Sequence, residues 1–154
     1  MIIEMADCDI MSETGKAASP LSQPKGNIMR TAALRKPLAE PDWVLTKATV
    51  RAAERLGLQN NDLAAIIGVS SATVSRYRAE SARIEPASKV GQLALLLIRV
   101  FRSLDPLVGS DDAMRKAWMH SHNKALNEVP ARLLCSPDGL VRTLDYLDGM
   151  RAAA

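Results

Sequence analysis

The stretch NNDLAAIIGVSSATVSRYR, residues 60–78, contains two short helical patterns around one glycine. Two helices that cross at a steep angle over a tight turn need a small residue at the crossing, and Ala64 occupies that position. The turn needs a residue that tolerates a positive φ, and Gly68 follows four positions later. The remaining apolar positions can then face one core: Leu63, Ile67, Val69, Val74 and Tyr77. The stretch predicts a helix-turn-helix; the alternative is an ordinary helical hairpin.

The second helix of this motif has the composition of a DNA-recognition helix. Ser70 is placed to cap it, and hydroxyl and arginine side chains follow on its exposed side. We expect seven side chains to contact DNA, the first three at bases and the other four at phosphates: Ser71, Thr73, Arg76, Ser75, Arg78, Asn60 and Asn61. A single helix-turn-helix binds DNA weakly, so the motif implies a homodimer on a palindromic operator DNA site.

Composition and charge agree with a helical protein that binds nucleic acid. Only 3% of the 154 residues are aromatic, while Ala, Leu, Arg and Met are frequent, which favours helices over strands. The formal net charge is +3, and the excess surrounds the motif. Residues 42–103 carry nine Lys/Arg against five Asp/Glu, whereas residues 104–154 carry six against seven. We therefore predict an all-α fold whose basic segment contains the motif.

The sequence offers little for catalysis or for metal binding. Cys8 and Cys135 lie far apart, which favours a reducing, cytoplasmic compartment over a disulfide framework. His120 and His122 are two positions apart and so on different faces of a helix, without a Cys or carboxylate at ligand spacing. We interpret Cys135 as a small buried residue rather than a nucleophile. The most apolar run, residues 93–101, is too short to span a bilayer. We expect a binding protein that uses no cofactor and no metal.

The first 41 residues differ in composition from the rest. They contain four prolines and few apolar side chains, so little surface can be buried to offset the entropy of ordering them. We predict a flexible tail over residues 1–41. Met11 and Met29 within it are candidates for the true translation start.

Helical periodicity begins after this tail. Asp42 is predicted to be the N-cap of a first helix that ends at Gly57. Ser88 is predicted to cap a central helix that runs to Arg102 and is apolar nearly all round, as for an element buried on several sides. Later helices are predicted from 110–112 to about His120, from Pro130 to about Cys135, and from Pro137 to about Arg151, the last with a stripe of Leu140, Leu144 and Leu147.

Four blocks of sequence carry a family resemblance. They are ATVRAAERLGLQNNDLAAIIGVSSATVSRYR, SKVGQLALLLIRVFRSLDPLVG, AWMHSHNKAL and GLVRTLDYLDGMR. In this order they resemble the MbcA/ParS/Xre antitoxin family, from about Val44 to Arg151. The resemblance implies an Xre-like DNA-binding part, a toxin-binding part and a RES-domain toxin as partner. Such toxins resemble ADP-ribosyltransferases that use NAD; the antitoxin covers the entrance of the active site and represses its own operon.

The chain departs from the family pattern at two places. Where members usually have Ser-Gln at the start of the first motif helix, this chain has Gln59-Asn60, so a shorter amide stands at that contact. Glu128-Val129 stands where a glycine is common, which predicts a different loop before the short helix.

The resemblance also implies toxin contacts in the second half of the chain. We expect them at Trp118, Tyr146, Asp148 and Arg151. Each has an alternative interpretation: Trp118 as a core anchor, Tyr146 as an ordinary half-buried tyrosine, and Asp148 and Arg151 as the solvated end of a helix.

The sequence thus predicts three segments with different tasks. Residues 1–41 form the tail, 42–84 the DNA-binding domain, and 85–154 the dimerisation and toxin-binding domain. The alternative function is a plain helix-turn-helix repressor whose second half only dimerises.

Overall fold

Seven helices make up the secondary structure of the residues that the computed structural model describes, 40–109 and 111–153. They are α1 (Pro41–Leu56), α2 (Asn60–Ile67), α3 (Ser71–Arg78), α4 (Lys89–Val108), α5 (Asp112–His120), α6 (Pro130–Leu133) and α7 (Pro137–Ala152). Within these ranges the extended pairing is limited to an isolated antiparallel bridge between Asn123 and Glu128. The predicted all-α fold is confirmed. The predicted tail, with Met11 and Met29, lies outside the described residues except for its last two positions.

Helix α1 begins earlier than the sequence predicts. The predicted N-cap at Asp42 is wrong, because Pro41 is already helical and Glu40 occupies the cap position. Proline suits the first turn of a helix, since its φ is preset and the N–H that it lacks has no partner there. Asp42 lies in that first turn instead, where its carboxylate faces the positive end of the helix dipole and accepts a hydrogen bond from the Trp43 amide.

Helices α2 and α3 form the predicted helix-turn-helix. Gly57 and Gly68 end α1 and α2, each with φ of 73°, a conformation that glycine adopts without steric cost. Ser70 caps α3, its hydroxyl accepting a hydrogen bond from the Thr73 amide at 3.2 Å. Ala64 is buried at the crossing. Four of the predicted core residues are buried and the fifth, Val69, is partly buried against them: Leu63, Ile67, Val74 and Tyr77.

Helix α4 is the central element of the fold. Ser88 caps it as predicted, accepting a hydrogen bond from the Gly91 amide at 3.0 Å, but the helix continues past Arg102 to Val108. The helix packs on several sides as predicted, against α1, α2, α5 and α7. It is not apolar nearly all round, because its exposed face carries Gln92, Arg99 and Arg102 beside Leu95. The buried stripe consists of Gly91, Ala94, Leu97, Val100, Ser103 and Leu104.

The described residues belong to one compact unit in which α4 packs on α1, α2, α5 and α7. The first three helices therefore share a core with the last helices through α4. The division into residues 42–84 and 85–154 stays a prediction about function.

The last three helices follow the predicted limits. Asp111 caps α5, accepting a hydrogen bond from the Ala113 amide at 2.8 Å, and Ser136 caps α7. The predicted leucine stripe of α7 is buried against the core: Leu140, Leu144 and Leu147. Two details differ. Cys135 follows α6 and is exposed, so its interpretation as a buried residue is wrong. His122 lies beyond the end of α5, so the two histidines do not share a helix.

Arg115 is a buried charge that was not predicted from the sequence. Its side chain is 0% exposed, although α5 is short and carries several exposed polar residues. The guanidinium donates to the carboxylates of Asp105 and Asp112 and, at 3.1 Å, to the Gly109 carbonyl. It also lies 5.7 Å from the centre of the Phe101 ring. These contacts join the end of α4 to the start of α5, so Arg115 stabilises this corner of the fold.

Within residues 40–109 and 111–153, no helix is both long enough and apolar enough to cross a membrane.

Candidate functional site

The exposed side of α3 presents the predicted recognition surface. Ser71, Ala72, Ser75 and Arg76 are exposed, while Thr73 is half-buried. Small side chains at the first two of these positions leave the helix backbone accessible, which is what insertion into a DNA major groove requires. The structure thus brings the predicted base-contacting residues to one surface.

Arg76 is oriented by the hydroxyl groups at the start of α3. Its guanidinium Nη2 donates to Thr73 Oγ1 at 3.0 Å, and that oxygen lies 2.9 Å from Ser70 Oγ. The same Ser70 oxygen caps the helix. The arginine therefore lies along the N-terminal half of α3, close to the hydroxyl side chains with which it is predicted to read bases.

Arg78 belongs to a group of polar side chains that we call the Arg78 cluster, formed by Glu54, Asn60, Ser75 and Arg78. The arginine Nε donates to Asn60 Oδ1 at 2.7 Å, and Nη1 donates to Glu54 Oε1 at 2.6 Å. Asn60 Nδ2 donates to Ser75 Oγ at 3.2 Å. The cluster joins α1, α2 and α3. Three of its members are predicted phosphate contacts, and in this structure they also hold the helices of the motif together.

The fourth member of this cluster, Glu54, was not predicted from the sequence. It lies 24 positions before Arg78, on a helix to which no DNA contact was assigned. The sequence near Glu54 gave only part of the information needed to predict this pairing. Glu54 is an exposed acid on the helix that precedes the motif, inside a segment with a positive excess. Its pairing depends on how α1 packs against α3.

The start of α2 forms the edge of the recognition surface. Asn60 and Asn61 are its first two residues, and Asn61 is exposed. Both line a groove with Gly57, Gln59 and Arg78. Asp62 stabilises this helix start, because its Oδ2 accepts a hydrogen bond from the Gln59 amide at 2.8 Å. Amide side chains, a guanidinium and the amides of a helix start suit a phosphate group at this edge.

Two of the predicted toxin contacts meet at the end of α7. Asp148 Oδ1 accepts from the Ser103 hydroxyl at 2.7 Å, and Oδ2 accepts from Arg99 Nη2 at 2.9 Å. The Arg151 guanidinium lies 3.9 Å from Asp148 Oδ1. The hydrogen bond from Ser103, helped by Arg99, holds the pKa of the Asp148 carboxyl below its usual range. Asp148 thus binds α7 to α4 as well as facing solvent.

These side chains line a groove with a positive excess. Arg99, Arg102 and Arg151 border it, and Asp148 is the acid among its lining residues. The exposed arginines on this groove remain accessible to a partner, in contrast to the buried Arg115.

The other two predicted toxin contacts lie against the hydrophobic core. Trp118 on α5 and Tyr146 on α7 are both half-buried and pack against the hydrophobic core. Each therefore contributes to the core, as the alternative interpretations state, while part of each ring faces solvent. Asp148 and Arg151 are joined by a direct contact.

In addition to the two grooves, a polar cavity lies between α2 and α6. Asp62, His120 and Cys135 line it together with Arg132. Desolvation, with a smaller effect of the Asp62 charge, raises the pKa of the Cys135 thiol, which disfavours the nucleophilic thiolate. His120 Nε2 lies 3.2 Å from the Gly57 carbonyl. Among the residues that the structure describes, no cluster of His, Cys and carboxylate side chains has the arrangement of a metal site.

Models of two protein families match the chain, one after the other. The model of the antitoxin Xre-like helix-turn-helix domain matches residues 39–99, which include the recognition surface. The model of the antitoxin Xre/MbcA/ParS C-terminal toxin-binding domain matches residues 103–152, which include the groove at the end of α7. A search of curated proteins finds no match.

Proposed function

The chain belongs to the Xre/MbcA/ParS antitoxin family, and from this premise we propose that it neutralises a RES-domain toxin and represses its own operon. It is an antitoxin with a helix-turn-helix part and a toxin-binding part. It acts by stoichiometric binding rather than by turnover, and the toxin whose active site it occludes is of the NAD-consuming, ADP-ribosyltransferase-like class.

The observation that carries this proposal is the order of the two matches within one chain. A helix-turn-helix match comes first and a toxin-binding match follows directly, with the long helix α4 reaching into both. The choice of a RES-domain partner is supported by the four sequence blocks, whose order resembles antitoxins of that class.

The DNA-binding part uses the surface of α3 and the start of α2. Ser71, Thr73 and Arg76 contact bases, and Ser75, Arg78, Asn60 and Asn61 contact phosphates. Support for this assignment comes from the exposure of α3 and from the orientation of Arg76 by Thr73. A homodimer on a palindromic operator places two such surfaces one turn of DNA apart.

The toxin-binding part uses the end of α7, together with the exposed edges of Trp118 and Tyr146. Arg151 lies beside Asp148 at the edge of a groove, so the end of α7 offers both a donor and an acceptor to the toxin. An NAD site is shaped to hold phosphates, which are anions, so the cationic Arg151 pairs with acidic or carbonyl groups at the entrance of that site. The end of α7 then occupies the space that NAD would fill.

A reciprocal pair of variants tests the proposal. The chain is co-expressed with the RES-domain protein encoded beside its gene, and cell growth, co-purification and promoter binding are measured. Deletion of residues 149–154 removes Arg151 but keeps Asp148 with its bonds to Ser103 and Arg99, so we expect the fold to be retained. We expect this deletion to release toxicity while promoter binding persists, and we expect Arg76→Ala to do the reverse.

Two results contradict the proposal. A neighbouring gene without a RES domain, or a RES-domain toxin that stays free of this chain, excludes the toxin assignment. A full-length protein that binds its promoter yet leaves the toxin active is a plain repressor.

A further inference from the structure

We propose that Glu54 competes with DNA phosphates for Arg78, so that Arg78 contributes to binding on the operator but not on unrelated DNA. This inference rests on the DNA-binding function proposed above and assigns a specificity-determining role to a residue on α1, outside the helix-turn-helix. It follows from the geometry of the Arg78 cluster.

The bond from Arg78 to Glu54 takes one of the two terminal amino groups with which the guanidinium can bind a phosphate. Nη1 donates to the Glu54 carboxylate at 2.6 Å, while Nε donates to the Asn60 amide oxygen at 2.7 Å. The amide bond holds the stem of the arginine at the edge of the recognition surface. The Glu54 carboxylate offsets the positive charge of the guanidinium. A phosphate at this edge therefore meets an arginine that is correctly placed but already paired.

The pair is exposed enough to exchange its partner. The Arg78 side chain is 27% exposed and the Glu54 side chain is 54% exposed. Exposed ion pairs of this kind contribute little, because water screens them and ordering two long side chains costs entropy. One well-placed phosphate is thus a sufficient competitor. A phosphate that lies too far from Arg78 does not displace Glu54, since Glu54 is covalently part of the protein and always present.

The hydrogen bonds of the cluster connect this exchange to the recognition helix. Asn60 Nδ2 donates to Ser75 Oγ, and Ser75 Oγ lies 3.1 Å from the Ser71 carbonyl to which it donates. Ser75 is exposed on α3. DNA in the correct register engages Ser75 and the start of α2 together, which brings a phosphate to Arg78. On unrelated DNA this register is not maintained, and Arg78 stays with Glu54.

The test measures binding of full-length Glu54→Gln by fluorescence anisotropy at several salt concentrations. The probes are a duplex from the promoter region of the chain's own gene and a random-sequence duplex of equal length. We expect binding to the random duplex to tighten about twofold to fivefold, the range of an exposed ion pair. Its salt dependence should steepen by about 0.9 in the log–log slope, as for one added phosphate contact. Promoter binding should change less, so the specificity ratio falls.

Two controls separate this role from a general effect of charge. Glu80→Gln removes the same charge from a residue just beyond α3, 53% exposed and paired with Lys47, and should leave the salt slope unchanged. In an Arg78→Ala background, Glu54→Gln should have no effect. Glu54→Asp, which keeps the charge, should retain most of the specificity of the wild type.

The outcomes are distinguishable. Equal affinities and slopes for wild type and Glu54→Gln overturn the inference, as does an effect that persists without Arg78, while promoter binding by the wild type leaves the proposed function intact. If the wild type shows no preference for its promoter, the proposed operator function fails with it.

Discussion

Arg78 and Arg115 each lie at the centre of a polar cluster, and they differ in burial. Arg78 joins the helices of the DNA-binding part and is 27% exposed, whereas Arg115 joins α4 to α5 and is 0% exposed. Arg78 bonds one carboxylate and one amide. Arg115 bonds two carboxylates and a backbone carbonyl, and its pKa is raised chiefly by the hydrogen bond with Asp112.

This difference separates a structural arginine from a binding arginine. A buried guanidinium cannot lose a partner without leaving a charge away from water, so its contacts are permanent. A partly exposed guanidinium can exchange its carboxylate for another anion at small cost. Both arginines lie beside acids, one for Arg78 and two for Arg115, but the presence of an ion pair does not by itself distinguish their roles. Exposure does.

The largest effect is expected at the buried arginine. Arg115→Ala leaves a cavity between α4 and α5 and removes the hydrogen bonds that join them, so we expect unfolding to become easier by about 3 kcal/mol. Urea unfolding followed by circular dichroism measures this. Arg132→Ala, at an exposed arginine of α6, is the control and should change stability by less than about 0.5 kcal/mol. Equal losses of stability in the two variants would contradict a difference between buried and exposed arginines.

A loss of similar size, but in binding, is expected at the recognition surface. Arg76→Ala removes a base-contacting side chain and should weaken operator binding by about 1–3 kcal/mol. The exposed position of Arg76 predicts an unchanged unfolding midpoint. Anisotropy on promoter DNA and co-purification with the toxin are the measurements. Loss of toxin binding to the same extent would contradict the division of tasks between the two parts.

A smaller effect on stability is expected at the exposed cluster. Arg78→Ala breaks the bonds to Glu54 and Asn60, yet both partners then turn to water, so we expect a loss of at most about 1 kcal/mol. Urea unfolding beside Arg115→Ala gives the comparison directly. A loss as large as that of Arg115→Ala would mean that the Arg78 cluster is a structural support rather than a binding site.

The smallest effect is expected at Asp112, because its side chain is 54% exposed and Arg115 keeps Asp105 and the Gly109 carbonyl as partners; it concerns the pH dependence of stability. The hydrogen bond from Arg115 lowers the pKa of Asp112, so the carboxylate stabilises the fold above the pKa of an unfolded aspartate, about 4. This stabilisation is lost as the pH falls through the lower pKa of the folded state. Asp112→Asn should therefore unfold earlier than the wild type at pH 7, and the two should converge below about pH 4.

The matched control for this measurement is Asp138→Asn, an exposed acid in the first turn of α7. It removes a carboxylate from the same kind of helix position without an arginine bonded to it. A similar pH dependence in both variants would trace the effect to the helix dipole instead of to Arg115.

Local features allowed most of the helices to be predicted. The limits of α2 and α3 follow from Gly57, Gly68 and the Ser70 cap, which act through neighbours in the chain. The error at the start of α1 was also local, because Pro41 competes with Asp42 for the first turn. The extent of α4 was harder to predict. Its last turn contains Pro106 and is held by the Arg115 contacts from α5.

The candidate surfaces could be predicted only in part. Exposed positions of α3 follow from helical periodicity, so Ser71 and Arg76 were identified from the sequence. The partners of such residues do not follow from periodicity. The bonds of Asp148 to Ser103 and Arg99 cross more than 40 positions, and the exposure of Cys135 depends on the turn between α6 and α7.

The sequence by itself determined the helical class, the helix-turn-helix and the family of this protein, because caps, glycine conformations and periodic apolar residues act within a few positions. Only the tertiary structure decided which arginine is buried and which acid faces each arginine. Burial depends on how α4 packs against α1, α5 and α7 at once, and the strength of an ion pair depends on that burial more than on the residues that form it.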